Sequence, residues 1–302
     1  MGDGTKENPF SREDVLRLIK EHGGSEELDL SGKYFEDGID LSRVNLPQII
    51  LKHALFGDVN FEGANLWAAH LEGALLYHAN LKEAYLPHAN LNGTYLARAK
   101  LQGAQLWLSH LEGTNLMDAH LEGASLTGAK LDNTNLEDVD WGNYILWEEN
   151  NSEFDWAAGT YRRLKMWYTE HGMYDIAGEF FFREMTAKRK ALKWLPNPFP
   201  RACSKFLSIL YGYGEKWHRV IISAAVVVLG LAVIYFFLGA FSPGTFPGCL
   251  YYSVASFTAL GYGSWVYPEP ASWAKGLGAA EAFVGVFMMA LFLITFARKM
   301  TR

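Results

Sequence analysis

The sequence predicts a multidomain chain, with a square-coiled solenoid on its N-terminal side and an all-α, two-span membrane domain on its C-terminal side. Three observations predict it. Leu or Phe returns at every fifth position from Leu41 through Leu136, and the series ends on Trp141. Two apolar runs, Val220 to Phe241 and Gly276 to Ala297, are long enough to cross a bilayer core of about 30 Å. Between them lies Thr258-Ala259-Leu260-Gly261-Tyr262-Gly263.

Charge divides the chain in the same way. The 302 residues carry a formal charge of −6, while residues 28–149 alone carry −10 and residues 151–219 carry +5. The basic block stands directly before the first span, which makes it a topology signal rather than a nucleic-acid one. Cys203 and Cys249 give no disulfide framework and no metal spacing. Residues 1–27 are polar and charged, so no cleavable signal peptide is expected.

Residues 1–27 are expected to cap the solenoid with a helix over 11–22. Ser11 and Asp14 form a capping-box pattern, Val15, Leu16 and Ile19 an apolar stripe, and Gly23-Gly24 a stop. Residues 28–150 follow with the period of five, which fits neither helix nor strand. A square coil with one repeat per side satisfies it. Small residues such as Ala64, Ala69, Ala74 and Thr94 stand two before each large one, and both are expected to point inward. Glycines at 63, 73, 93, 103, 113 and 123 fall at the expected turns. Residues twenty apart should then stack at roughly 4.8 Å.

Gly63-Ala64-Asn65-Leu66 and His78-Ala79-Asn80-Leu81 resemble the pentapeptide-repeat family. The resemblance implies a right-handed quadrilateral β-helix. Some members mimic DNA, but the acidic surface is also explained by solubility, and no nucleic-acid partner is expected. His53, His70, His78, His88, His110 and His120 lie on the coil without converging as metal ligands would, so solvated surface histidines are expected, with pH sensing as the second reading. Trp67 and Trp107 share a ladder and could mark a contact patch.

Residues 151–217 form a linker. Tyr161 to Tyr168 and Ile176 to Leu192 predict a helical hairpin broken near His171-Gly172. Residues 201–217, with Phe206, Leu207, Ile209 and Leu210 among Arg201 and Lys205, predict an amphipathic helix along the membrane surface. Gly212-Tyr213-Gly214 is a decoy for the later Gly-Tyr-Gly, because no short helix leads into it.

Residues 218–302 carry the spans at about 220–241 and 276–297, a short helix at 247–258 and the segment 258–263. Basic residues flank the outer ends of both spans, while the loop 242–271 has one acid and no base. Both termini and the solenoid are therefore expected in the cytoplasm, with the chain in the cell inner membrane. A filter for a dehydrated cation needs backbone carbonyls on one axis, and Gly261 and Gly263 permit the dihedrals that aim them. One such strand does not surround an ion, so a four-fold assembly in the lipid bilayer is implied.

Leu250-Tyr251-Tyr252-Ser253-Val254 leading to Gly261-Tyr262-Gly263 resembles the two-transmembrane potassium channels, and the whole order resembles the prokaryotic members that carry N-terminal pentapeptide repeats. The resemblance implies a potassium-selective homotetramer, not an enzyme, with K+ as the transported ion and no cofactor. Thr258, Ala259, Leu260, Gly261, Tyr262 and Gly263 would be the selectivity filter. Against the usual pattern, Ala259 replaces a Thr, Leu260 a β-branched residue and Ser264 an Asp, and Ala255 stands where some members have an acid. A weakly selective cation channel, or a membrane-anchored interaction protein working through its solenoid, are the other readings. Gly285 is at the expected inner-helix hinge, Leu293, Phe296 and Ala297 could form an inner gate, and Glu281 is expected to bond to the pore helix. No nucleotide fingerprint, calcium loop or arginine-rich voltage sensor is present, so ligand, proton, mechanical and protein-partner gating are all open.

Overall fold

The computed structural model describes residues 2–192, 198–242, 244–260 and 269–300. It divides into two compact units, Met1–Trp167 and Tyr168–Arg302.

The first unit opens with α1 (Arg12–His22). Ser11 caps it in a complete capping box with Asp14, and Gly23 closes it in the left-handed conformation. Val15 is buried, but Leu16 points out at 40% exposure, so the lid rests on a narrower stripe than the sequence suggested. Phe10 continues the contact inward through Phe35, whose ring stacks on Phe56 at 4.2 Å.

The repeats then pair by parallel bridges between residues twenty apart, from Asp40↔Asn60 to His120↔Asp140, so four repeats complete one coil. Among the described residues these bridges do not extend into continuous strands. Before these, Asp29↔Ile50 and Tyr34↔Leu55 are twenty-one apart, which places one extra residue between positions 34 and 40. Each side stacks through backbone bonds such as Phe61 N to Asn80 O at 2.7 Å and Asn80 N to Val59 O at 2.8 Å. The corner residue two past each central Leu or Phe has positive φ from Arg43 to Asp138, whether or not it is glycine. His53, His78 and His88 are three such corners. Stacking evidently over-determines the corner, since a left-handed residue other than glycine costs on the order of 1 kcal/mol.

The core is a column of large and small side chains. Leu66, Leu71, Leu91, Ala64, Ala69 and Ala74 are all 0% exposed. Thr94, Thr114 and Thr134 take the small position and donate inward to the carbonyls of Leu71, Leu91 and Leu111, each at 2.7 Å, so their buried hydroxyls are satisfied. Leu91→Ala is expected to destabilise this unit by about 2–5 kcal/mol. Lys100→Ala, at an exposed bridge position, should be within about 0.5 kcal/mol of the parent. Thermal melts of the two variants by circular dichroism check the contrast.

The far end of the coil is closed by α2 (Trp147–Asn150) and by the first part of α3 (Phe154–Glu170). Glu148 Oε1 accepts from Ser125 Oγ at 2.7 Å, Leu126 N at 3.1 Å, and both Thr127 N and Thr127 Oγ1. Arg163 donates to the carbonyls of Ala129 at 2.5 Å and Leu126 at 2.9 Å. Burial lowers the Arg163 pKa and the Glu148 carboxylate opposes that shift. The last coil thus ends on a carboxylate that takes its free amides and a guanidinium that takes its free carbonyls.

In the second unit, the chain leaves α3 through Gly172 (φ +75°) into α4 (Tyr174–Ala191). The amphipathic helix is α5 (Phe199–Tyr211), which ends at left-handed Gly212. The decoy Gly-Tyr-Gly forms a single 3-10 turn there. The Tyr213 hydroxyl meets Ser204 Oγ at 2.8 Å and accepts from Arg189 at 3.2 Å, and its ring lies against Phe182. Three helices follow and pack on one another: α6 (Trp217–Phe237), α7 (Phe246–Thr258) and α8 (Ser272–Met300). α6 and the Ser272–Ala297 part of α8 are long and apolar enough to cross a membrane. Phe237 and Phe283, each 79% exposed, show the outward apolar faces that a bilayer would cover. Relative to the expected span, α6 starts earlier and ends at Phe237, because Gly239 at φ +64° breaks it before the apolar run is over.

Candidate functional site

The short helix α7 sits between the two long ones. Thr245 caps it, with Pro247 in its first turn, where the missing amide costs nothing. It runs to Thr258, whose hydroxyl donates back to Val254 O at 2.7 Å. Ala259 then turns left-handed at φ +52°, and Leu260 is 83% exposed. A β-branched residue would be strained in that conformation, which gives Ala at 259 a physical reason. Gly261, Tyr262, Gly263 and Ser264 lie outside the described residues. The C-terminal end of α7, with its partial negative charge, therefore leads directly into Thr258-Ala259-Leu260.

One seam on α8 holds α7 in place. Ala274, Gly278, Glu281, Gly285 and Met288 follow at spacings of four and three, and all are buried. At Gly278 a β-carbon would lie 2.6 Å from the Tyr252 hydroxyl and 3.1 Å from Ser256 Oγ. At Gly285 it would overlap the carbonyl oxygen of Phe257 and stand 2.6 Å from its carbon. The helix runs unbroken through Gly285, whose visible role is this close approach to the last turn of α7.

Glu281 is the polar centre of the seam. It is 2% exposed and accepts from Tyr235 of α6 at 3.0 Å and from Ser253 of α7. Ser253 Oγ is also 2.9 Å from Val228 O of α6. Tyr252 adds a bond to Ala274 O at 3.1 Å. The bond from Glu281 to the short helix is the one expected from the sequence. Tyr235 and Gly278 were not singled out there, and Tyr252 and Ser253 were named only as part of the resemblance, although a hydroxyl-bearing face on α7 and small residues in register on α8 were legible signals.

At the other end of α8, Phe296 packs on the Trp217 ring at 5.9 Å and stacks on Phe292 at 5.5 Å. Leu293 is 63% exposed and Ala297 is also exposed. A second cluster joins Leu210 of α5, Val220 of α6, Phe257 of α7 and Met288 of α8.

On the coil, four of the six histidines lie beside single acids. His70 lies 3.5 Å from Glu72, His78 3.8 Å from Asp58, His110 3.7 Å from Glu112 and His120 3.0 Å from Asp140. Asp140 is held below the usual carboxylate range, first by the Gly142 amide and then by His120. Among the described residues no three His, Cys, Asp or Glu side chains gather as metal ligands would. Trp67 and Trp107 do share a face, with the His88 ring 6.5 Å from the first and 5.1 Å from the second.

A family model for pentapeptide repeats matches in eight copies, over residues 39–76, 54–93, 74–107 and 99–138. A family model for an ion channel matches residues 223–302. Among solved structures, a pentapeptide repeat protein (Rfr23) from the cyanobacterium Cyanothece 51142 is 28% identical, covering 42% of this chain and 92% of its own, at a TM-score of 0.24. One from the thylakoid lumen of Arabidopsis thaliana is 32% identical, covering 38% of this chain and 63% of its own, at 0.20. HetL, a pentapeptide repeat protein involved in heterocyst differentiation regulation in Nostoc, is 19% identical, covering 44% and 96%, at 0.12. No curated protein matches.

Proposed function

We propose that this chain, a run of pentapeptide repeats joined to an ion channel domain, is the subunit of a tetrameric potassium-selective channel. The observation that carries the proposal is α7, a short helix held between two membrane-length helices, ending at Thr258 three positions before Gly261-Tyr262-Gly263. Thr258 to Gly263 would line the ion path, with backbone carbonyls standing in for the water shell of K+. Leu293, Phe296 and Ala297 would form the inner constriction, with Gly285 as the flexing point of α8. The repeats would form a right-handed quadrilateral β-helix in the cytoplasm, serving assembly or gating. The assembly would lie in the cell inner membrane, with both termini inside and no cofactor.

Proteoliposomes holding the full chain should pass K+ at least tenfold faster than Na+ under matched gradients. No cation flux would overturn the channel reading. Equal K+ and Na+ flux would overturn selectivity alone and favour the weakly selective alternative. Ala259 motivates that alternative, because it brings no hydroxyl to the innermost ion position.

A further inference from the structure

One side of the coil differs from the other three. The bridges Asn45↔Asn65, Asn65↔Tyr85, Tyr85↔Gln105 and Gln105↔Ser125 define it. The positions flanking its central leucines, from Asn45 to Gly128, hold no Asp, Glu, Lys or Arg. Each other side carries charges of both signs: Glu62 and Lys82 on one, Lys52 and Glu72 on the next, Arg98 and Asp118 on the last. Residues 28–149 have a net charge of −10, so a side without formal charge stands out.

That side is aromatic instead. Trp67, Tyr85 and Leu108 are 38%, 40% and 46% exposed. The His88 ring stands edge-on between Trp67, at 6.5 Å, and Trp107, at 5.1 Å, and Tyr85 meets the Trp107 ring at 6.3 Å. The rings form one patch across successive coils. Along the ladder Pro47, Trp67, Pro87, Trp107 and Thr127, indoles alternate with small residues. Neighbours on it are one coil, about 4.8 Å, apart, so the ladder has ridges and hollows. The centres of protein interfaces are enriched in Trp and Tyr and depleted of charge. Two acidic coils repel one another, and this is the side across which they can meet without burying an unpaired charge. Each other side would bring charges to it, so the surface that suits it is the same side of a second copy. Such a contact is isologous and joins copies in pairs.

We propose that this side is a self-association surface, through which the coils of two copies pair face to face around Trp67, Tyr85 and Trp107. The proposal rests on the reading that several copies assemble, but not on ion conduction or selectivity, and pairing is measured without any current.

Photocross-linking of the full-length protein in expressing cells tests it. Trp107→p-benzoylphenylalanine should give a product of two chains on a denaturing gel. Lys82→p-benzoylphenylalanine, exposed on a charged side, should give none above background. Gln105→Lys in the first background sets like charges opposite one another across the pair. It should cut the product about tenfold without lowering the melting temperature of the coil. No product from position 107, an equal yield from position 82, or an unchanged yield in Gln105→Lys overturns the surface. A ladder of three and four chains from position 107 overturns pairing by like sides. A product whose added mass is that of another protein overturns the second copy as occupant. Native mass spectrometry separates the two readings: four chains per particle without a product at position 107 strikes this surface and leaves the assembly standing.

Discussion

Gly285→Ala is expected to unfold the packing of the membrane unit and abolish ion flux. The added methyl would overlap the carbonyl oxygen of Phe257 and stand 2.6 Å and 3.0 Å from its C and Cα atoms. Those are backbone atoms at the last turn of α7, so no side chain can swing aside. α8 must withdraw from α7, and overpacking of this kind costs typically 1–3 kcal/mol or more. Gly276→Ala on the same helix meets open space and should be neutral. Thermal melts in detergent and flux assays on both variants separate the possibilities. A pure hinge would leave the melting temperature of Gly285→Ala equal to that of Gly276→Ala, and that result would refute close packing as the reason for the glycine.

Glu281→Ala is expected to cause the second large loss. Its carboxylate is the shared acceptor for Tyr235 and Ser253. Ser253 keeps Val228 O as an alternative, but the buried Tyr235 hydroxyl loses the acceptor it has in Glu281. Removing a buried hydrogen bond of this kind costs about 0.5–1.5 kcal/mol. Glu281→Gln retains one acceptor oxygen and should be intermediate. Because α7 leads into the segment proposed to line the ion path, potassium preference should fall in the same order. A double-mutant cycle with Ser253→Ala gives the check: if the two losses simply add, Glu281 does not act through Ser253.

Much of this was legible in the sequence, for reasons that differ by region. The period of five was readable because each repeat makes the same local choice, so Leu66 and Ala64 speak for every side of the coil. The glycines at 63, 73, 93, 103, 113 and 123 do mark corners, but they do not mark all of them. Corners such as Arg43, His78 and Asp118 take positive φ without glycine, because stacking on the coils above and below imposes what glycine would only permit. The end cap was not legible, since Arg163 reaches carbonyls 34 and 37 residues back and nothing in its own neighbourhood announces that. In the membrane unit, Glu281 was conspicuous as the acid interrupting an apolar run. Its partners were not, because a serine and a tyrosine on separate helices become a site only when three helices meet. The C-terminal end of α6 moved for a local reason, the left-handed Gly239, which hydropathy does not register.

The cluster of Leu210, Val220, Phe257 and Met288 has a thermodynamic consequence. It places a residue of α5 in the same packed group as the residue just before Thr258. If two arrangements of that group exist, whatever steadies α5 shifts the balance at the entrance to the proposed ion path. Linkage then runs in both directions with the same factor. Ion occupancy at Thr258 to Gly263 should alter affinity at the surface of α5 as much as a ligand there alters ion affinity, so the two measurements should yield one coupling constant.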